Sequence, residues 1–450
     1  MNARAHPTHR TRLAVESMED RSVPSAAPLD ASFGAGGFSV RDLGTPNDGV
    51  AATAVDSAGR TVVAVDVGAG ANGYDFTIVR YTAGGEIDTS FGSDGFLRTD
   101  FAGGNDYVIG LAIDAARGHL YAVGTAQTRG GLQDVGVARY DLATGTLDRK
   151  WGKRGLVTVE ATAGFADIRD FGHAVAVDPA GRVLVCGSSN GRDGEGFYTA
   201  NTLFRFRASG GLDRSFGRGG MVVGAPVLDG TDSWRAMTLV PAAGAGYRVA
   251  VVGTSGDAAV FARFNSDGSR DTSLAAGGAV TLAHGDPGHV EFVPGGGGAF
   301  VGASAGFDGS YTIVRYTAAG TPDASFDGDG IYLGSAAALT GDSAATLTIS
   351  DVAVDAAGRV VLAGALYTGS FGGDSLLIRH TATGELDASF DGDGWAAYAL
   401  APDRAETFTH VAIDGEGRIV AVGTLDNGYV DPDGFRVVDR DVFAARVQVE

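Results

Sequence analysis

The chain holds one cysteine, Cys186, and two lysines, Lys150 and Lys153, in 450 residues. One cysteine excludes an intrachain disulfide and a multi-cysteine metal centre. Cys186 sits in the apolar run VLVCG and reads as a buried, inert thiol. Proline is sparse at 12, and no stretch approaches the apolar length of a membrane-spanning helix. The 34 basic residues face 54 acidic ones, a net charge of −20. Such a surface repels phosphate backbones and anionic headgroups, so neither nucleic-acid binding nor membrane insertion is expected. Residues 1–28 begin basic but lack the apolar core of a secretory signal. They carry no strand pattern and read as a disordered or processed tail.

Glycine, at 72 residues, is what the chain has in excess. It has no G-X-Y period, and 44% hydrophobic content argues against disorder. Glycine between short apolar runs points to many tight turns between short strands.

One nine-residue phrase recurs seven times: LDASFGAGG (29–37), IDTSFGSDG (87–95), LDRKWGKRG (147–155), LDRSFGRGG (212–220), RDTSLAAGG (270–278), PDASFDGDG (322–330) and LDASFDGDG (386–394). Its final glycines lie 58, 60, 65, 58, 52 and 64 residues apart. Between copies the chain follows one script. A run such as AVAVD leads into a turn such as PAGR, then a second run such as VLVCG. A variable loop follows, then a third run such as FTIVRY, the phrase, and a short fourth run. These runs are Val- and Ile-rich and alternate apolar with polar, which is strand chemistry. A period near sixty accommodates one four-stranded antiparallel sheet. The expectation is all-β: a seven-bladed β-propeller of four-stranded blades over residues 29–450. The chain opens on a phrase and fourth run (37–43) and closes on a third run, VFAARV (442–447). The N-terminal strand is therefore expected to join the C-terminal blade and close the ring.

The phrase, with V-x-R-Y before it and A-V-D-x-x-G-R after it, resembles the delta-60 repeat family of bacterial β-propeller proteins. The resemblance spans residues 29–450 and implies a fold but no settled activity. Units four and five depart from it: VPAAGAGYR (240–248) and VPGGGGAF (293–300) replace the turn, and Leu274 replaces the phrase Phe. Residues 12–26, RLAVESMEDRSVPSA, are similar to a short N-terminal segment on many predicted exported proteins of planctomycete bacteria. This resemblance implies an extracellular or cell-surface location.

A residue present in every blade is structural before it is functional, since one site needs one copy. The phrase Asp (Asp30, Asp88, Asp148, Asp213, Asp271, Asp323, Asp387) and the third-run Arg (Arg80, Arg139, Arg205, Arg263, Arg315, Arg379, Arg446) each occur seven times. Each Asp is expected to hold local N–H groups, and some to pair with Arg, with Arg446 reaching Asp30 across the closure. The phrase aromatics (Phe33, Phe91, Trp151, Phe216, Phe326, Phe390) are expected to pack between blades. Asp329 and Asp393 of the DGDG letters tempt a calcium assignment, but Arg154 holds the same position in another copy.

Function is expected on the variable face, whose longest loops are 187–202, 335–350 and 424–441. The candidate ligand contacts there are Tyr74, Asp75, Tyr107, Asp170, Asp193, Tyr198, Asp232, Trp234, Tyr367, Phe371 and Tyr429. Aromatic rings with carboxylates suit a glycan or peptide, although they equally cap blades over an acidic rim. Asp431 and Asp433 in DPDG resemble half of a calcium loop, with Tyr429 where its first Asp belongs. Calcium is thus the cofactor weighed, and none is required. GASAG (302–306) matches G-x-S-x-G by chance, since no helix pattern follows. His173, His289 and His410 open first runs in three units, but His173 lies five residues before its Asp and His410 four. Opposite parity puts them on opposite sheet faces, which disfavours a three-histidine metal site. The reading is a non-catalytic, monomeric binding or scaffold propeller for an unknown glycan, peptide or protein. The alternative is a secreted glycan- or ester-directed hydrolase or lyase using the same face, although no nucleophile, base and oxyanion donor group together.

Overall fold

The computed structural model describes residues 28–448 apart from 46–47, 68–72, 129–130, 162–165, 193–196, 225–231, 243–245, 257, 276, 283–287, 370–371, 402–403, 431–435 and 438. Side chains at 166–168, 192, 197–198, 232, 429–430 and 436–437 also lie outside the description. The tail, including residues 12–26 on which the expectation of export rests, falls outside it up to residue 27.

The apolar runs are strands. In chain order they are β1 (Phe38–Arg41), β2 (Gly49–Val55), β3 (Thr61–Asp66), β4 (Phe76–Tyr81), β5 (Phe96–Thr99), β6 (Asp106–Asp114), β7 (His119–Gln127), β8 (Gln133–Asp141), β9 (Leu156–Val159) and β10 (Ala166–Val177). There follow β11 (Val183–Arg192), β12 (Phe197–Phe206), β13 (Met221–Val223), β14 (Asp232–Pro241), β15 (Tyr247–Ser255), β16 (Ala258–Asn265), β17 (Ala279–Thr281), β18 (His289–Phe292), β19 (Phe300–Ala305), β20 (Ser310–Tyr316) and β21 (Ile331–Ser335). After α1 (Ala336–Thr340) come β22 (Thr346–Val354), β23 (Val360–Tyr367), β24 (Asp374–His380), β25 (Trp395–Tyr398), β26 (Glu406–Ile413), β27 (Ile419–Asp426), β28 (Tyr429–Val430), β29 (Arg436–Val437) and β30 (Arg440–Val447).

The number of blades corrects the expectation. Five sheets are four-stranded blades, not seven: β2–β5, β14–β17, β18–β21, β22–β25 and β1-β30-β27-β26. Strands β6–β13 form one eight-stranded sheet instead, made continuous where Arg169 of β10 bridges Gln133 of β8 in parallel. β8 and β10 run past their own units' cores until their backbones meet, and the repeat spacing carries no sign of that extension. β28 and β29 form a separate hairpin.

The first strands of successive units, β2, β6, β10, β14, β18, β22 and β26, touch in that order, and β26 returns to β2 to close a ring. β1 lies antiparallel beside β30, with Phe38 opposite Ala445 and Arg41 opposite Val442. Leu29 bridges Val447 in the same junction.

The core lies between sheets. Phe33 packs with Val63, Val79 and Tyr81 of the first blade and with Val422, Val442 and Ala444 of the last. Phe91, Trp151, Phe216, Phe326 and Phe390 are equally buried. Each such ring contributes about 1.5–3 kcal/mol by leaving water. Two expected loops are partly regular. Within 187–202, Ser188–Asn190 pair with Thr199–Asn201, because a ladder needs only backbone and tolerates polar side chains. Within 335–350, Ser335 caps α1 by accepting the Ala338 N–H, and Gly341 ends it at φ 76°.

Candidate functional site

The face of short turns is a lattice of charge. All seven phrase Asp side chains meet their Arg. Arg446 Nε lies 2.7 Å from Asp30 Oδ2, and the other six pairs close at 2.5–3.2 Å. The other oxygen of Asp30, Asp88, Asp213, Asp271, Asp323 and Asp387 accepts the N–H and hydroxyl of the Ser two residues on. The guanidinium then reaches the next unit: Arg80 donates to Ala143 O at 2.8 Å, and Arg315 to Ala382 O at 2.8 Å. It also stacks on the phrase aromatic, with Arg80 4.1 Å from the centre of Phe91. The DGDG letters have a conformational explanation. Asp327 and Asp391 sit at φ 49° and 55°, where other copies hold Gly34, Gly92 and Gly152. Aspartate tolerates that left-handed conformation.

The opposite face carries a second repeated acid. Asp48 accepts the Leu43 N–H, Asp106 that of Phe101, Asp170 that of Ala161 and Glu406 that of Leu400, each clamping the loop before its own strand. Asp170, expected to meet ligand, is thus a buried clamp. Trp234 is buried too and sits edge-on to Phe264, centroids 6.4 Å apart. Tyr74 and Tyr107 do come together, 5.0 Å between centroids, and Tyr74 is exposed. Asp75 joins Asp100 and Asp106, their carboxylate oxygens within 4.8 Å, and Asp42, Asp48 and Asp441 repeat this one unit away. Tyr367 lies apart, in a pocket with His289 and the fully exposed Phe307. Tyr198, Asp232 and Tyr429 are on strands, with side chains outside the description. Asp193, Phe371, Asp431 and Asp433 lie outside the described residues altogether.

The richest chemistry lies on the axis, in a cavity of about 820 Å³ lined by all seven first strands. β2 and β6 bring Ala51, Ala52, Ile109 and Leu111. The next five bring His173, Arg235, Glu291, Asp351 and His410 in succession. One arc of the wall is apolar and the other polar. Pro241 and Pro294–Gly298, from the two turns that break the repeat, line it as well.

Local sequence explains how these side chains reach the axis. Six of the seven first strands carry a bulge, at Ala51, Ile109, His173, Arg235, Ser350 and Thr409. Opposite five of them stands a glycine of the second strand. A Cβ on Gly124, Gly187, Gly253, Gly364 or Gly423 would lie 1.8–2.0 Å from a first-strand carbonyl oxygen. A bulge re-aims side chains, so counting parity from the Asp misplaces them. His173 is the extra residue of its strand and His410 follows the extra residue of its own, and both line the cavity. The expected opposite facing is corrected, and His289 alone of the three faces a different pocket.

Burial drives the electrostatics. It pushes His173 and His410 down to about 4, helped by Arg235 and His289 respectively, so both are neutral at pH 7. It pushes Asp351 up to about 7 against N–H donation from Val411 and Val352, both at 2.9 Å. Glu291 keeps surface open to the cavity, but the walls enclose it. That desolvation, with Asp351 beside it, raises its carboxyl to about 8.

Residues 163–195 match the family described as "Beta-propeller repeat" (SBBP). Residues 59–91 and 245–274 match "Domain of unknown function (DUF5122) beta-propeller". The chain is a β-propeller built of repeats. No protein of curated function matches it. Among solved structures it is similar to the polysaccharide lyase Uly1 (11% identity, 89% of this chain and 90% of that one, TM-score 0.46). A virginiamycin B lyase from Staphylococcus aureus, solved with quinupristin, shares 11% identity over 91% and 98% of the two chains at TM-score 0.41. A Dyadobacter fermentans protein of unknown function shares 12% over 91% and 98%, at TM-score 0.40. Likeness at this level carries no chemistry to this propeller.

Proposed function

We propose that this is a non-catalytic binding propeller, exported to the cell surface or beyond, which holds a polar ligand such as a glycan or peptide end in its axial cavity. One observation carries the reading. The positions that build the wheel repeat, while the wall position at the bulge or beside it holds Ala51, Ile109, His173, Arg235, Asp351 and His410 in different units. Side chains that differ where the backbone is alike are tuned to something other than the fold. An apolar arc facing a polar one suits a ring or chain with both C–H and hydroxyl or amide surface. The negative surface disfavours nucleic acid as partner.

The test is a glycan array and peptide library, followed by calorimetry on each hit. Ile109→Trp projects an indole from the apolar wall into the cavity, where it obstructs the ligand's seat, and is expected to abolish binding while the melting temperature holds. Binding that survives Ile109→Trp, or a ligand recovered cleaved, ends this reading. A hydrolase and lyase screen on the same protein separates binding from turnover.

A further inference from the structure

Among the polar groups of the axial wall, Glu291 stands apart. His173 Nε2 lies 3.3 Å from Ser188 Oγ, and His410 Nδ1 lies 3.3 Å from Thr409 Oγ1. The two oxygens of Asp351 accept the Val352 and Val411 N–H groups. Arg235 is engaged as well. Glu291 has no hydrogen-bond or ion-pair partner among the described residues, and the charge beside it is the like charge of Asp351. Glu291 presents its carboxylate to the cavity without a partner, and a second carboxylate nearby disfavours its charge.

A cation in the cavity offsets both terms. The described acidic groups close enough to chelate a metal are the two trios of the loop face, and Glu291 and Asp351 belong to neither. The cavity is far larger than an ion, and its opposite wall is Ile109 and Leu111. We infer that the axial cavity receives a primary ammonium group, held by the Glu291 carboxylate with Asp351 behind it, the ligand's carbon skeleton lying on Ile109 and Leu111. This rests on the axial-binding reading above. The net charge of −20 draws such ligands toward the protein. An amino sugar and a lysine side chain carry the same group, and the experiment tells them apart.

Calorimetry at low millimolar ligand uses four probes: a chitosan hexamer, its N-acetylated counterpart, a short peptide with one lysine, and the same peptide acetylated at that lysine. One or both free amines are expected to bind, and the acetylated forms not. Glu291→Gln is expected to weaken binding about tenfold or more, as loss of a charge-assisted hydrogen bond does. Asp100→Asn, on the loop face, serves as control for general acidity and should change affinity less than about twofold. For the lysine probe, whose ammonium stays charged throughout, affinity should rise with pH between about 6 and 8 as Glu291 ionises. The titratable groups that share the cavity on either side of it are Arg235 from β14 and Asp351 from β22, while His289 of its own strand lines the neighbouring pocket. His173 and His410 complete the ring, and β2 and β6 bring no titratable side chain to the cavity. Neither amine binding, acetylated probes binding equally, or Glu291→Gln binding like wild type each overturns the inference. If Glu291→Gln is silent while Ile109→Trp abolishes binding, the axial site stands and the ammonium assignment falls. If both are silent, the two fall together.

Discussion

Arg446 and Asp30 lie 416 positions apart in sequence and 2.7 Å apart in space. The Asp30 N–H donates to the Arg446 carbonyl at 2.8 Å, and the Arg446 N–H to the Gly37 carbonyl at 3.0 Å. The pair is nearly inaccessible, and the guanidinium continues to Ala83 O and the Ser32 hydroxyl.

Asp30→Ala leaves Arg446 charged and buried, which costs about 3–5 kcal/mol. Asp323→Ala removes a longer and wetter pair, 3.2 Å with the partners 17% and 22% exposed, and should cost about 1 kcal/mol. Urea unfolding of the two variants checks the difference. Equal losses would mean that the closing pair is no different from the rest.

Acid should unfold the ring steeply. Burial alone would raise Asp30, but the Ser32 hydroxyl and N–H and the Arg446 guanidinium outweigh it and hold the carboxyl at about 2. Asp88, Asp148, Asp213, Asp271, Asp323 and Asp387 are lowered in the same way. A folded-state pKa below the unfolded value near about 3.9 contributes stability that is present above about pH 4 and lost as pH falls toward 2. Melting temperatures measured from pH 5 to pH 2 should fall throughout that window.

Glu406 works in the other direction. Burial raises it to about 7 although Ala401 and Leu400 N–H groups donate to it, and Asp374 adds repulsion. A carboxyl raised on folding contributes its stability below the unfolded pKa and loses it as pH rises to the folded one. Glu406→Gln keeps an acceptor oxygen for the loop and removes the charge. It should therefore gain on wild type between about pH 5 and 8, by about 1–3 kcal/mol. Thermal denaturation at both pH values measures the gap, which should nearly vanish at pH 5.

Gly187→Ala puts a methyl 1.8 Å from the Phe171 carbonyl oxygen, where both strands are held by their ladder. The expected loss is about 2–3 kcal/mol. Gly277, with nothing within 4 Å of its missing Cβ and no positive φ, should accept alanine within about 0.5 kcal/mol. Chemical denaturation of the two variants tests whether strand-two glycines are needed for the bulge.

What recurs was legible. The Asp–Arg contacts, the buried aromatics and the meeting of 37–43 with 442–447 all follow from copies compared with one another. What depends on a single event was not. One bridge between Arg169 and Gln133 fuses eight strands where separate blades were expected, and no repeat announces it. Asp170 was misread although the signal was available, because Asp48, Asp106 and Glu406 occupy its place in other units, which marks the position as structural. Glu291, Arg235 and Asp351 escaped notice for the opposite reason. They share a wall but no residue type, and the bulges shift the count that would have aligned them. The glycine that closes five of the second apolar runs was the visible trace of five of those bulges.

The seat of β1 beside β30 also sets an order of events in biosynthesis. The strand that emerges among the earliest finds its neighbour only after residues 440–447 have been made. Every nascent chain shorter than that exposes an unsatisfied β-edge, so a ribosome stalled before that point leaves a polypeptide open to pairing with strangers.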